Sequence, residues 1–519
     1  MKGDVDSKPN ATEGGGSRKV KFENVFALVC LVLVALAVRA IGLSTNVLWL
    51  DELLTVNQAH HGLFDVLIAV LRFSTHFPLY HMQLSLWMML GTSDAFVMLN
   101  SVLWGVLAVV ALYFAAKRLA GSRSGFWAGM LLAVIPSAVF YSQQVRPYTF
   151  IMVLSLLAFS FILKYFETQK TSDLAGVSLF LIAIAYSHGI GFILMVGLSA
   201  YAFSRAMLER RDLVRRLLLA HGIILVVLAP AMLVISARGA SHALAPGLRD
   251  LIETLRSLLL GTANGTSGIP TGIKLALLGG LIAALLAGRR SRLLFATTVA
   301  FPIITVFIIS HVIKPIWLSR TISLTVPFIC LSLALALEAM WRAKRNQAAR
   351  LGRAIVILTI IGALSFLSVQ QQLNYHKGDD YKPMAAFLAA HARPGDIIVM
   401  DGSGVNLWCF LWYYAGPHWG NPLAFHEVNE KWRRLLNRIG PVWAKRLRLV
   451  PTQRAVSVNG VTVTASFVDP PLAQPAERIW VIRPLNSVFS PRAGFERVSQ
   501  RDFSEFTVEM WVGGAIPIL

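Results

Sequence analysis

Two adjacent carboxylates, Asp51 and Glu52 in Trp49-Leu50-Asp51-Glu52, stand just past the first long apolar stretch of the chain. Ionised groups near the hydrocarbon boundary are costly, roughly 2.5–3.5 kcal/mol at the centre of a bilayer and less near its surface, so they face a wet cavity or a partner. Further polar residues gather at the ends of other apolar stretches. They are Arg39, His76 and Tyr80 in His76-Phe77-Pro78-Leu79-Tyr80, Arg146 and Tyr148 in Gln143-Gln144-Val145-Arg146-Pro147-Tyr148, His188 in Tyr186-Ser187-His188, and Lys314 and Arg320 in Lys314-Pro315-Ile316-Trp317-Leu318-Ser319-Arg320. Such a set supplies carboxylates to accept a proton and cations to hold an anion. Group transfer from a phosphorylated lipid to a hydroxyl needs both. A carboxylate takes the acceptor's proton as general base, and Arg or Lys neutralises the charge growing on the departing phosphate, Arg through a bidentate fork. A lipid-linked donor also suits a site at the membrane surface, because its tail stays in the bilayer while its head group meets water.

Each residue has a structural reading beside the chemical one. Asp51 and Glu52 suit the first turn of a helix, where acidic side chains are favoured. Arg39, Arg146, Lys314 and Arg320 can snorkel to lipid head groups. His188 suits a hydrogen-bonded hairpin, and His76 and Tyr80 suit interfacial anchors. Trp408, Trp412 and Trp419 suit either sugar stacking or core and membrane contact.

The elements that must position these residues are set by hydropathy. The chain has 519 residues, 55% apolar and 14% charged, with a mean hydropathy of +0.61, which is the composition of a polytopic α-helical membrane protein. Spans are expected near 24–43, 95–116, 124–142, 148–165, 172–188, 190–206, 216–236, 271–288, 293–311, 319–340 and 353–371, about 11 in all and no more than about 13. The stretch 78–90 is short for a crossing and fits an interfacial or re-entrant helix in the first outer loop. With that assignment, the connections on one side of the membrane hold 21 Lys and Arg, against 7 on the other: Arg72, Arg146, Arg238, Arg249, Arg256, Lys314 and Arg320. The positive-inside rule then makes the first side cytoplasmic, with the acidic pair facing the periplasm or its equivalent. The same pattern accounts for the net charge of +21 without nucleic acid as a partner.

The expected divisions are a disordered cytoplasmic tail over 1–20, a transmembrane catalytic region over 21–373 with its first outer loop at 44–94, and a periplasmic α/β domain over 374–519. The first apolar stretch lacks a small-residue cleavage site and is expected to be a retained anchor. In the C-terminal region, 381–392 reads as an amphipathic helix, 393–396 as a turn, and 397–400, 461–467, 479–482 and 506–512 as strands. Cys30 and Cys330 lie in apolar segments and Cys409 outside them, so neither a disulfide framework nor a zinc cluster is expected.

Taken together, Trp49-Leu50-Asp51-Glu52, His76-Phe77-Pro78-Leu79-Tyr80 and Tyr141-Ser142-Gln143-Gln144-Val145-Arg146-Pro147-Tyr148 resemble the bacterial branch of glycosyltransferase family 39. That family has the GT-C fold shared with protein O-mannosyltransferases and the lipid A aminoarabinose transferase. The likeness extends through Arg320-Thr321-Ile322-Ser323-Leu324-Thr325-Val326-Pro327 and through 380–399. The resemblance implies a polyprenyl-phosphate-linked sugar donor, inversion at the anomeric carbon, loop helices lying along the membrane, and a catalytic aspartate matching Asp51. Glu52 matches the second acid of the family pair, Arg39 the arginine ahead of it, and Arg146 the one after the third span. Phe77, Gln144 and Thr321 depart from the family pattern.

The resulting expectation is an inverting transferase that moves a sugar from a polyprenyl-phosphate donor to a hydroxyl of a lipid, glycan or protein acceptor. Asp51 and Glu52 form its catalytic pair, and Arg39, His76, Tyr80, Arg146, Tyr148, His188, Lys314 and Arg320 hold donor phosphate or substrate. No cofactor is required, because side-chain cations can neutralise a monophosphate leaving group, although Glu52 and His188 leave room for a divalent metal. The alternatives are a lipid-linked glycan transporter or flippase, and a non-catalytic subunit that presents a lipid to a partner.

Overall fold

The structure is a computed structural model and describes residues 13–60, 62–64, 66–67, 77–236, 245–261, 289–313, 315–342, 347–374, 381–401, 404–417, 419, 455–465, 477–485, 487 and 495–513. Its apolar stretches form helices in the order α1 (Glu13–Ala40), α2 (Leu50–Ala59), α3 (Pro78–Met88), α4 (Asp94–Ala120), α5 (Ser122–Val134), α6 (Pro136–Ser142), α7 (Tyr148–Thr168), α8 (Thr171–Ser187), α9 (Gly191–Glu209), α10 (Val214–Ser236) and α11 (Leu248–Leu260). There follow α12 (Arg289–Phe295), α13 (Phe301–Val312), α14 (Ser319–Ile322), α15 (Val326–Arg342) and α16 (Gln347–Asn374).

Among the described residues, seven helical stretches are long and apolar enough to cross a membrane, or eight if the bent pair α5–α6 is one span. Shorter apolar helical stretches cover Asn24–Ala40 and Thr171–Ser187. The chain is a multi-pass membrane protein. Each expected span coincides with one of these helices except 271–288, which lies outside the described residues. Helix α3 has 11 residues, a length of about 16 Å at 1.5 Å per residue, and cannot cross a hydrocarbon core of roughly 30 Å.

The break between α5 and α6 has a plain cause. Pro136 opens α6 and has no amide hydrogen to give to the carbonyl four residues back. The two pieces meet at 62°. The carbonyls released there are satisfied from other helices: Leu132 and Ala133 accept from the Arg39 guanidinium at 3.0 and 2.7 Å, and Val134 accepts from Ser368 Oγ at 2.5 Å. A buried polar group without such a partner would cost a few kcal/mol.

After α16 the chain builds α17 (Tyr381–His391) and α18 (Gly404–Tyr414) around a mixed sheet. Its strands are β1 (Ile397–Met400), β2 (Ala455–Val458), β3 (Val461–Ala465), β4 (Arg478–Pro484), β5 (Phe495–Asp502) and β6 (Phe506–Gly513), in the order β2-β3-β1-β4-β6-β5. Central β1 is parallel to both β3 and β4, and the outer pairs are antiparallel. All four residues of β1 are buried, as a strand covered on both faces requires. The expected helix and four strands are therefore present. Three elements were not expected: the edge strands β2 and β5, and α18. Strand β5, FERVSQRD, is exposed along nearly its whole length, so it lacks the apolar alternation by which a strand is recognised.

Candidate active site

The acidic pair opens α2, and its two members face opposite ways. Glu52 is fully buried. Its Oε2 accepts the Trp49 backbone amide at 3.1 Å, capping the helix, and its Oε1 accepts the Val145 amide at 2.6 Å. One carboxylate thus fastens the start of α2 to the turn between α6 and α7. Asp51 keeps 23% of its side chain exposed, and its Oδ2 lies 2.7 Å from Arg320 Nη1 on α14. The Arg320 side chain is 35% exposed, so neither member of this pair is fully buried in the protein.

Arg146 completes the arrangement from behind. It is buried, and its Nη1 donates to the Asp51 backbone carbonyl at 3.0 Å and to Thr55 Oγ1 at 2.7 Å. Thr55 Oγ1 in turn donates to that same carbonyl at 2.8 Å. Thr55 follows Asp51 by one helical turn, a spacing that places the two on one face; it was not among the expected site residues, although that periodicity could have pointed to it. A carboxylate and two guanidinium groups, from segments 269 and 95 residues away in sequence, thereby meet around the first turn of α2.

The structure puts several other expected substrate contacts elsewhere. Arg39 is 1% exposed, and its nitrogens go to Ser142 Oγ at 2.9 Å and to the carbonyls of the α5–α6 break. That corrects the expectation of a phosphate ligand: the guanidinium closes a helix break in the core. Gly105 makes room for it, since a Cβ there would fall on Ser142 Oγ and press on Arg39 Nε. Gln143 Nε2 also donates to the Arg39 carbonyl at 2.8 Å, which ties the end of α1 to the turn carrying Arg146. Tyr80 and Tyr148 are buried, at 0% and 1% exposure, and sit behind the site. The Tyr148 ring packs edge-on against Tyr141 at 5.0 Å, and Tyr80 lies against Phe150 at 6.0 Å. His188 Nδ1 accepts the Ile190 amide at 3.1 Å, a local turn contact. His76 and Lys314 lie outside the described residues. Among the described residues, no group of three or more His, Cys, Asp or Glu side chains is placed to hold a metal ion.

Histidine 81, on α3 and outside the spans, was missed by the sequence reading. It is 1% exposed, and its Nδ1 pairs with the Phe77 carbonyl at 3.3 Å. Burial, and then the charge of Arg146, push its imidazole down to about 3. The unfolded chain takes up this proton near the ordinary value of about 6.5, whereas the folded chain resists until about 3. Folded-state stability is therefore complete above the ordinary value and falls as the pH drops through that window. Thermal midpoints in detergent between pH 7 and 4 should fall with pH, and His81→Gln should flatten the slope; identical slopes would refute a neutral buried imidazole.

A cavity of about 600 Å³ lies between α6, α11 and the start of α14, and neither Asp51, Arg146 nor Arg320 lines it. Its lining includes Tyr141, Trp317 and Ser319, the residue before Arg320, together with Asp250, Glu253 and Gln371. Aromatic faces interleaved with hydrogen-bonding side chains suit a hydroxylated ring.

Over 93% of this chain and 97% of the other, the structure matches ArnT of Cupriavidus metallidurans in the apo state, with a TM-score of 0.58 at 14% identity. The same protein bound to undecaprenyl phosphate matches over the same shares, with a TM-score of 0.55 at 14% identity. The chain has the GT-C fold. Residues 75–235, which include the motifs at 76–80 and 141–148, also match the family model of dolichyl-phosphate-mannose-protein mannosyltransferases, in line with the resemblance read from those motifs. No curated protein sequence matches the chain. Within this GT-C frame, Asp51 and Arg320 are a carboxylate and a cation that meet with both side chains only partly buried, while Glu52 and Arg39 are buried among contacts that tie neighbouring segments together.

Proposed function

We propose that this protein is an inverting glycosyltransferase that takes a sugar from a polyprenyl-phosphate donor and places it on an acceptor hydroxyl at the outer face of a bacterial inner membrane. The observation that carries the reading is the Asp51–Arg320 contact at 2.7 Å, braced by Arg146 through the Asp51 carbonyl. Undecaprenyl phosphate bound to ArnT, a protein of the same fold, supports a polyprenyl phosphate as the leaving group. The match of residues 75–235 to a mannosyltransferase family model supports sugar transfer.

In the proposed reaction the acceptor oxygen forms a bond to the anomeric carbon while Asp51 takes the hydroxyl proton. The bond from that carbon to the phosphate oxygen breaks, and its electron pair leaves on the lipid phosphate. Arg320 neutralises the developing charge, and Arg146 holds the backbone of Asp51 in register. A single displacement inverts configuration, by the geometric logic that separates inverting from retaining glycosidases. The acceptor is a lipid, a glycan or a protein. Glu52 holds the helix that carries the base, and Lys314 is proposed as a further phosphate contact.

Purified protein given a radiolabelled polyprenyl-phosphate sugar and an envelope-lipid extract should release polyprenyl phosphate and yield a product of inverted anomeric configuration by NMR. Because guanidinium groups perform the neutralisation, the rate should survive EDTA within about twofold. Retention of configuration, or a rate abolished by the chelator and restored by a divalent ion, would refute the proposed chemistry. Mass spectrometry of glycolipids and glycoproteins from a deletion strain identifies the acceptor.

A further inference from the structure

The outer α/β region does more than follow the membrane bundle: its helix α18 and the residues just after it hold α2 and the loop entering it. At the start of α2, Tyr413 Oη accepts the Leu48 amide at 3.1 Å and reaches Asp94 Oδ1, on the first turn of α4, at 3.3 Å. Lys382 of α17 closes the cluster with an ion pair to Asp94 at 2.8 Å. Burial, then the Asp94 carboxylate, push the Tyr413 phenol well above its ordinary value, so it stays protonated and can donate to Asp94 while accepting from Leu48. Near the far end, Asn57 receives the Trp419 indole N–H at 3.0 Å and gives its own amide to the Trp408 carbonyl at 3.4 Å. The His60 ring meets Trp412 edge-on at 5.7 Å. The Trp-rich run is therefore neither an exposed sugar platform nor a membrane contact. It is the wall against which the carboxylate-bearing helix is seated.

We infer that Tyr413 is a positioning residue for Asp51, and that the C-terminal region acts in transfer by holding the first turn of α2 in register with Arg320. This rests on the reading of Asp51 as the base. The phenol anchors Leu48, three residues ahead of Asp51, and binds it to a spanning helix through Asp94. Losing that anchor frees the loop entering α2. Displacements of about 1 Å at a reacting group cost up to two orders of magnitude in rate.

Tyr413→Phe keeps the ring and removes only the hydroxyl. In the full-length protein it should lower kcat about tenfold with the donor KM within about twofold, and should speed hydrogen exchange of the amides over residues 48–55 while leaving β1 and β4 as protected as before. Either readout at the wild-type level overturns the inference; a merely structural role would move the thermal midpoint and not kcat of the folded enzyme. Should Tyr413→Phe fail to fold, Trp419→Phe removes the bond to Asn57 at the other end and is judged by the same two readouts over residues 53–60. Failure of the inference is distinct from failure of the base assignment: if Asp51→Asn transfers sugar at the wild-type rate, the catalytic reading is lost whatever Tyr413→Phe does.

Discussion

Asp51→Asn is expected to bind the lipid-linked donor and to transfer its sugar about 10²- to 10⁴-fold more slowly, the range spanned by loss of a positioned general base. The substitution is nearly isosteric, and the amide oxygen can still accept the Arg320 guanidinium that now lies 2.7 Å from Oδ2. Fold and donor binding should persist, so the loss falls on kcat. Single-turnover rates with radiolabelled donor give the step directly. Wild-type turnover in this variant would end the assignment of Asp51 as base. A flippase predicts a different pattern, in which head-group binding remains and vectorial movement across vesicles is lost.

Arg320→Ala should lower kcat about 10²- to 10³-fold, by analogy with removal of one donor from a preorganised anion site. Two effects combine. The leaving phosphate loses its neutralising partner, and Asp51 loses the cation that orients it. Arg320→Lys should restore only part of the rate, because an ammonium keeps the charge but cannot present the planar two-point fork of a guanidinium. Since the two side chains touch, Asp51→Asn and Arg320→Ala should be far from additive: the double variant should be little slower than the worse single one. Independent, multiplying losses would show that the two residues serve separate steps and would sink the proposed pair.

The two effects are expected to be large because they fall on a contact that is only partly buried, whereas neighbouring charged residues are locked in. Glu52 is the clearest contrast. It stands next to Asp51 in the chain, yet helical rotation turns it into the core, where it receives the Trp49 and Val145 amides. Neighbours on a helix point about 100° apart, so a motif of two carboxylates divides between a partly exposed ion pair and a buried support.

Much of the architecture was legible in the order of residue types. Span positions follow from apolar length, the short α3 from too few residues to cross, and the buried strands from their apolar runs, because each of these depends on the composition of a local window. Asp51, Arg146 and Arg320, which the structure brings together, could also be singled out in the sequence, since polar residues at the ends of spans are few and costly. Their division of labour was not. Arg39 looked like an anion ligand, but Pro136, 97 residues later, leaves carbonyls that the guanidinium must satisfy. The tryptophans of 408–419 looked like sugar platforms or core, and only the folded chain shows them pressed against α2. Hydropathy and charge are local properties that a chain states openly; which way a buried polar side chain turns depends on partners tens to hundreds of residues away, and three-dimensional packing alone decides it.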